Sequence, residues 1–224
     1  MKDEDFIERQ PAAWKAIVSA MMDDPKFYVI NGSVNGPGSS IKYTGGLREE
    51  LPKLLERYDI LTMVDAPCGD LTWISQTDLS RLHSYIGYDV DERIIDANRR
   101  GFVNHKKFAF VTSNLLTRKR FPKADLILSR DFLSHLTNDY ITLMLDKYKA
   151  SGSTYLLASN YPGCSNEFEY NPDDFPWRGY LERPHDLTVE PFNLTRIDGI
   201  PEESPPGGVL NLGHELALFE LSSR

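Results

Sequence analysis

Apolar residues recur along the chain in two rhythms that take turns. Compact runs at Met63-Val64-Asp-Ala66, Ser84-Tyr-Ile-Gly-Tyr-Asp89, Lys107-Phe-Ala-Phe-Val-Thr112, Ala124-Asp-Leu-Ile-Leu-Ser129 and Thr154-Tyr-Leu-Leu-Ala-Ser159 read as buried strands. Between them the spacing turns helical. Leu47, Leu51, Leu54 and Leu55 mark a helix from Leu47 to Tyr58, and further helices follow at 91–98 and from Asn138 to about Ala150. Upstream, Phe6, Ile7, Trp14, Ile17, Val18 and Met21 share one face of a packing helix that Pro25 follows. Phe192-Asn-Leu-Thr-Arg-Ile197 and Glu215-Leu-Ala-Leu-Phe-Glu-Leu221, separated by a Pro/Gly-rich connection, form an antiparallel pair at one sheet edge. The pattern predicts an α/β three-layer sandwich around a seven-stranded, mostly parallel sheet with an antiparallel C-terminal strand pair.

The first strand runs into Asp65-Ala-Pro67-Cys68-Gly69-Asp70, where Asp70 is placed to cap a helix through about Leu79. A ligand in an open α/β sheet lies beyond the carboxyl end of this strand, and Gly69 lets the backbone come close to it. A pyrophosphate site puts three glycines here; this loop has one, flanked by Asp65 and Asp70. That charge suits a ligand with a cationic amino group and no phosphate, and S-adenosyl-L-methionine is such a ligand. A plain strand–helix turn is the other reading of the same residues.

Composition narrows the field. The 224 residues suffice for one substantial core, and 33 acidic against 25 basic residues, a formal net charge of −8, argue against binding nucleic acid through its phosphates. No apolar run is long enough to span a bilayer, and Met1-Lys-Asp-Glu-Asp5 has the wrong charge for a secretory signal, so a cytoplasmic location is expected. Cys68 and Cys164 are too isolated for a disulfide framework or a Cys-rich zinc site, and no carboxylate and histidine cluster stands out for a metal.

Other positions invite a ligand. Residues 31–46, rich in glycine and serine, are either a linker or a lid, and Arg48 just after them is either a surface arginine or a partner for a ligand carboxylate. Asp89, followed by Val90, ends strand two, 24 residues after Asp65. There a carboxylate can accept two hydrogen bonds from a ribose diol or cap the next helix. Ser113-Asn114 after strand three can receive an adenine amino group or form an Asx turn. Arg130, Asp131 and His135 follow strand four, which adjoins strand one. On a helix, Asp131 and His135 share a face as a base and its orienting partner, or as a structural pair. From Asn160 to Pro191 the chain is rich in Pro, Asp, Asn and aromatics. Tyr161 and Trp177, with Asn160, Arg178 and His185, suit a sugar or another polar ring, although packing on the domain surface accounts for the aromatics equally well.

Five alternating β/α units and an antiparallel pair, with acids opening the first loop and ending strand two, resemble the class I S-adenosyl-L-methionine (SAM)-dependent methyltransferase fold, which is Rossmann-like. The likeness covers about Leu47 to Leu221. Asp65-Ala-Pro-Cys-Gly-Asp70 with Trp73, Tyr85-Ile-Gly-Tyr-Asp89, Arg130-Asp131 and His135-Leu136, preceded by Gly36-Pro-Gly-Ser39, Thr44 and Arg48, resemble a narrower branch. Some members of it are associated with glycan methylation. Two departures from the superfamily are Pro67-Cys68 in the first loop, which matches the branch, and Asn114 where an acid is usual.

The resemblance implies a cofactor set of Arg48, Asp65, Pro67, Cys68, Gly69, Asp70, Trp73, Asp89, Val90, Ser113, Asn114 and Arg130. Asp65, Gly69 and Asp70 surround the methionine part, Asp89 the ribose, and Ser113-Asn114 the adenine. Asp131 or His135 is the base, and Asn160, Tyr161, Trp177 and Arg178 face the acceptor. The expected organisation is one domain: helix and glycine-rich lid (1–46), cofactor core (47–160), substrate lid (161–191) and closing strands (192–224). The expected activity is O-methylation of a sugar or glycan. A small-metabolite or amine methyltransferase and a SAM-binding module without turnover are the alternatives, with a nicotinamide-dependent oxidoreductase last.

Overall fold

The computed structural model describes residues 4–23, 32–167, 183–203 and 214–221. Its strands are β1 (Thr62–Asp65), β2 (Ser84–Asp89), β3 (Phe108–Thr112), β4 (Leu126–Ser129), β5 (Tyr155–Asn160), β6 (Arg196–Pro201) and β7 (Glu215–Glu220). They form one sheet in the order β3-β2-β1-β4-β5-β7-β6, with β7 antiparallel to both β5 and β6 and the first five strands mutually parallel. The helices among the described residues are α1 (Glu4–Asp23), α2 (Gly45–Arg57), α3 (Glu92–Gly101) and α4 (Asn138–Ala150).

Strand alternation divides the core between the two faces of the sheet. Met63 joins the cluster that holds Leu47, Leu51, Leu54 and Leu55 of α2, whereas Val64 joins the one that holds Met144 and Tyr148 of α4. Asp91 caps α3, its carboxylate accepting the N–H groups of Arg93 and Ile94. The strand order reverses between β1 and β4, so the crevice beyond their carboxyl ends is the fold's ligand position.

Three expectations change. No α-helix follows β1: Leu71 takes φ of 56°, and only a 3-10 turn at Ile74–Gln76 forms. β6 begins at Arg196 rather than Phe192, because Asn193 turns at φ of 49° and Phe192 and Leu194 are buried with Leu187 in the α4-side core. The segment after β4 is likewise not an α-helix; Asp131 has φ of 50° and a 3-10 turn spans Leu133–His135. Among the described residues no helix is long and apolar enough to cross a membrane. The side chains of Phe6, Ile17, Val18 and Met21, and the whole of Trp177 and Arg178, lie outside the described residues.

Candidate active site

The loop after β1 is stitched to both neighbouring strands. Ala66 N–H donates to Leu128 O and Cys68 N–H to Tyr88 O, which directs the loop across the switch point. Asp65, at the end of β1, is buried and accepts the Tyr85 hydroxyl. Burial pushes its carboxyl up to about 8, against the pull of Tyr85 and with the repulsion of Asp89 added. Gly69, at φ of 57°, points its N–H at Asp89 Oδ2 over 3.2 Å, and Asp91 N–H donates to Oδ1 at 2.9 Å. Burial raises Asp89 to about 6 despite these donors. An ionised carboxylate has about four acceptor sites, and the backbone of Gly69, Val90 and Asp91 does not fill them all, so Asp89 can still accept from a ligand hydroxyl.

Around this pair, the glycine-rich segment that the sequence reads as a linker or a lid does much of the holding. Ser33 Oγ and Val34 N–H donate to Asp70 Oδ2 at 2.8 and 2.9 Å, Thr72 N–H donates to Oδ1, and Asp70 N–H donates to Asn35 Oδ1 at 2.8 Å. Asp70 therefore clasps the glycine-rich segment onto the first loop instead of capping a helix, and both of its oxygens carry internal bonds. Asn35 stands so close that a Cβ on Gly69 would lie 2.8 Å from its Oδ1. Arg48 reaches back to Ile41 O at 3.0 Å.

The remaining predicted cofactor residues sit near the loop in different capacities. Cys68 is buried against Asn98, and burial pushes its thiol up, which marks it as packing rather than a nucleophile. Trp73 is buried, with Arg130 Cζ 5.8 Å from its ring centre. Pro67 and Val90 are half-buried on the two loops flanking Gly69. Ser113 N–H donates to Asp89 O, while Asn114 makes the Asx turn, its Oδ1 accepting Leu116 N–H.

At the end of β4 the chemistry is charged. Arg130 donates to Gly38 O at 3.0 Å, to Ser39 Oγ, and to Glu202 Oε1 at 2.6 Å, and it pairs with Asp131 at 3.1 Å. Burial pushes Asp131 up, but Arg130, His214 and the Ser159 hydroxyl outweigh it and hold the carboxyl below its ordinary value. Asp131 and His135 do not share a helical face, yet His135 is near enough to help hold the Asp131 carboxyl low. The positive φ of Asp131 breaks the helical spacing, and the His135 ring lies 6.3 Å from that of Trp14 in α1.

Two residues absent from the sequence reading complete this end: Glu202 after β6 and His214 before β7. Ligand atoms of Asp131, Glu202 and His214 lie within 4.8 Å of one another. With the Arg130 guanidinium bonded to both carboxylates, the group is an arginine-centred network rather than a cation site. Asn160 Oδ1 accepts Leu187 N–H at 2.6 Å, and Tyr161 stacks on His214 with ring centres 5.2 Å apart. His185 is no acceptor contact. It is fully buried, 3.1 Å from Ser159 O, and burial, aided by Arg183, lowers it to about 4.

No family model matches the sequence, and no curated protein matches it. Solved structures do. The 1,6-didemethyltoxoflavin-N1-methyltransferase of Burkholderia thailandensis, bound to 1,6-didemethyltoxoflavin and S-adenosylhomocysteine, is similar at 14% identity and a TM-score of 0.64, over 95% of this chain and 89% of that one. The N-methyltransferase NodS from Bradyrhizobium japonicum WM9, in complex with S-adenosylhomocysteine, gives 13% and 0.57 over 96% and 95%. Magnesium protoporphyrin IX methyltransferase from Synechocystis PCC 6803, with bound SAM, gives 11% and 0.53 over 79% and 80%. The chain has the Rossmann-like methyltransferase fold.

Proposed function

We propose that this chain transfers the methyl group of SAM to a hydroxyl, of a sugar or glycan, as a single methyltransferase domain. One observation carries the reading: Asp65 and Asp89 are both buried at the ends of adjacent strands by the switch point of a methyltransferase fold, and Asp89 accepts the Gly69 N–H. Two carboxylates there suit a cationic, diol-bearing ligand and oppose a pyrophosphate. Bound S-adenosylhomocysteine or SAM in the similar structures supports the same cofactor.

In this reading Asp89 accepts the ribose hydroxyls, Asp65 faces the methionine end, and Ser113-Asn114 border the adenine. The cofactor supplies an activated methyl; the protein positions the acceptor in line with it and excludes water. Arg130 fixes the glycine-rich segment to the end of β4 and so walls the crevice. A hydroxyl acceptor must also lose a proton, which calls for a base near Asp131. Transfer to an amine is the second reading, favoured by the two N-methyltransferases among the similar structures.

The test is incubation with methyl-labelled SAM and a panel of glycosides, polyols and amines, with label in the product as readout. Label on glycoside or polyol oxygen supports the proposal; label confined to amines replaces it with the second reading, and no label with any acceptor supports a module without turnover.

A further inference from the structure

A groove of ≈510 Å³ opens between the ends of β5, β6 and β7. Asn160, Thr188, Arg196, His214 and Glu215 line it, with Pro162 and Pro201. Of these residues, only Asn160 has been given a role so far, that of facing the acceptor. Asn160 in its wall is fully buried, and its Nδ2 makes no hydrogen bond of ordinary geometry among the described residues. The neighbouring Asp186 senses that amide, but its oxygens already accept from Gly163 and Thr188.

His214 belongs both to this groove and to the charged network. Its Nε2 lies 3.7 Å from Glu202 Oε2, an oxygen that is buried and has no hydrogen-bond partner among the described residues. Glu202 Oε1 is already committed to Arg130. Counting the cation of Arg130 against the carboxylates of Asp131 and Glu202 leaves one negative charge. One proton delivered to the network neutralises it.

We propose that the groove binds the acceptor and that His214, backed by Glu202, receives the acceptor's proton. The proposal rests on the methyl-transfer reading above and deepens it. As the acceptor oxygen forms its new C–O bond, the C–S bond of the sulfonium breaks and its electron pair stays on sulfur. The O–H proton passes to the His214 imidazole, and the resulting imidazolium is paired with Glu202 Oε2. Asp131, held low by Arg130 and in electrostatic reach of His214, helps to stabilise that cation. The groove wall supplies an amide, a hydroxyl and an ion pair, with two prolines offering apolar faces. Such a lining fits a ring that carries several hydroxyls.

The experiment is ¹⁵N-histidine NMR on the full chain with S-adenosylhomocysteine present, the His214 signal being assigned with His214→Asn. The probes are methyl α-D-glucopyranoside, myo-inositol and, as a flat apolar control, indole. The expected result is a saturable shift of His214 with at least one polyol, no shift of His83 or His105, and roughly tenfold weaker binding of that polyol in Arg196→Ala. Absence of any polyol shift, or a shift with indole alone, overturns the proposal. If His214→Asn does not fold, Arg196→Ala supplies the assignment through its neighbourhood effect. Calorimetry with S-adenosylhomocysteine in the same samples tests the underlying reading separately, so failure of the groove and failure of the cofactor site are distinguishable.

Discussion

Arg130 Nε donates to Glu202 Oε1 at 2.6 Å, joining the end of β4 to the end of β6 across 72 residues of chain. Both side chains are under a tenth exposed, at 7% and 1%. Removing one member of a buried pair leaves the other charge without its partner, at a cost of about 3 kcal/mol. Glu202→Ala is therefore expected to lower the urea midpoint by that equivalent, and Glu202→Gln by less, because an amide oxygen still accepts from the guanidinium. An unchanged midpoint in the alanine variant would show that the pair does not anchor this end of the sheet.

The clasp between Asp70 and residues 33–35 makes a second prediction. Asp70→Ala removes the acceptor for Ser33 Oγ and Val34 N–H and costs about 2 kcal/mol. Amide exchange should quicken at Val34 while staying protected in β5. Gly69→Ala should have a similar effect by another route, since its Cβ meets Asn35 at 2.8 Å on a backbone with φ of 57°. Protection at Val34 equal to wild type in both variants would refute the clasp.

Asp65 predicts a pH dependence with a definite sign. Its folded carboxyl titrates at about 8, whereas an unfolded one does so at about 3.9. Between those values the folded chain holds a proton that the unfolded chain has released, so the contribution to stability is greatest below the lower value and is lost as pH rises through the upper one. Asp89, at about 6, acts in the same direction over the lower part of that window. The difference in stability between wild type and Asp65→Asn should shift in favour of the variant as pH rises to about 8. Affinity for a cationic ligand should rise over the same interval in wild type and stay flat in the variant. Thermal melts and calorimetry across that range check both.

Much of the sheet is legible in the sequence because its signals are local. Leu47, Leu51, Leu54 and Leu55 are all buried on α2, Asp91 caps α3, and Ser84–Asp89 is a strand as the pattern predicts. Asp70 misleads because its cap-like chemistry serves Ser33 and Val34 instead, 37 and 36 residues away, and no periodicity reveals such partners. The helix expected over Asp131 and His135 does not form, because Asp131 has left-handed backbone, although His135 still acts on the Asp131 carboxyl. Glu202 and His214 flank a Pro/Gly-rich connection with no pattern to mark them; only antiparallel pairing of β7 with β5 and β6 carries them to the end of β4.

Kinetics separate His214 from His135 as the base. With an acceptor that turns over, His214→Ala should lower kcat by roughly a hundredfold, the ordinary contribution of a positioned base. His135→Ala, whose ring packs on Trp14, should change kcat much less and act mainly on stability. The reverse ranking would return the role of base to His135.

Calorimetric titration with S-adenosylhomocysteine, on wild type and on Asp89→Ala, tests the central claim most directly. The account predicts saturable one-to-one binding to wild type, loss of most of that affinity in the variant, and no heat with NADH. Binding of NADH in place of S-adenosylhomocysteine, or equal affinity in the two proteins, would contradict it.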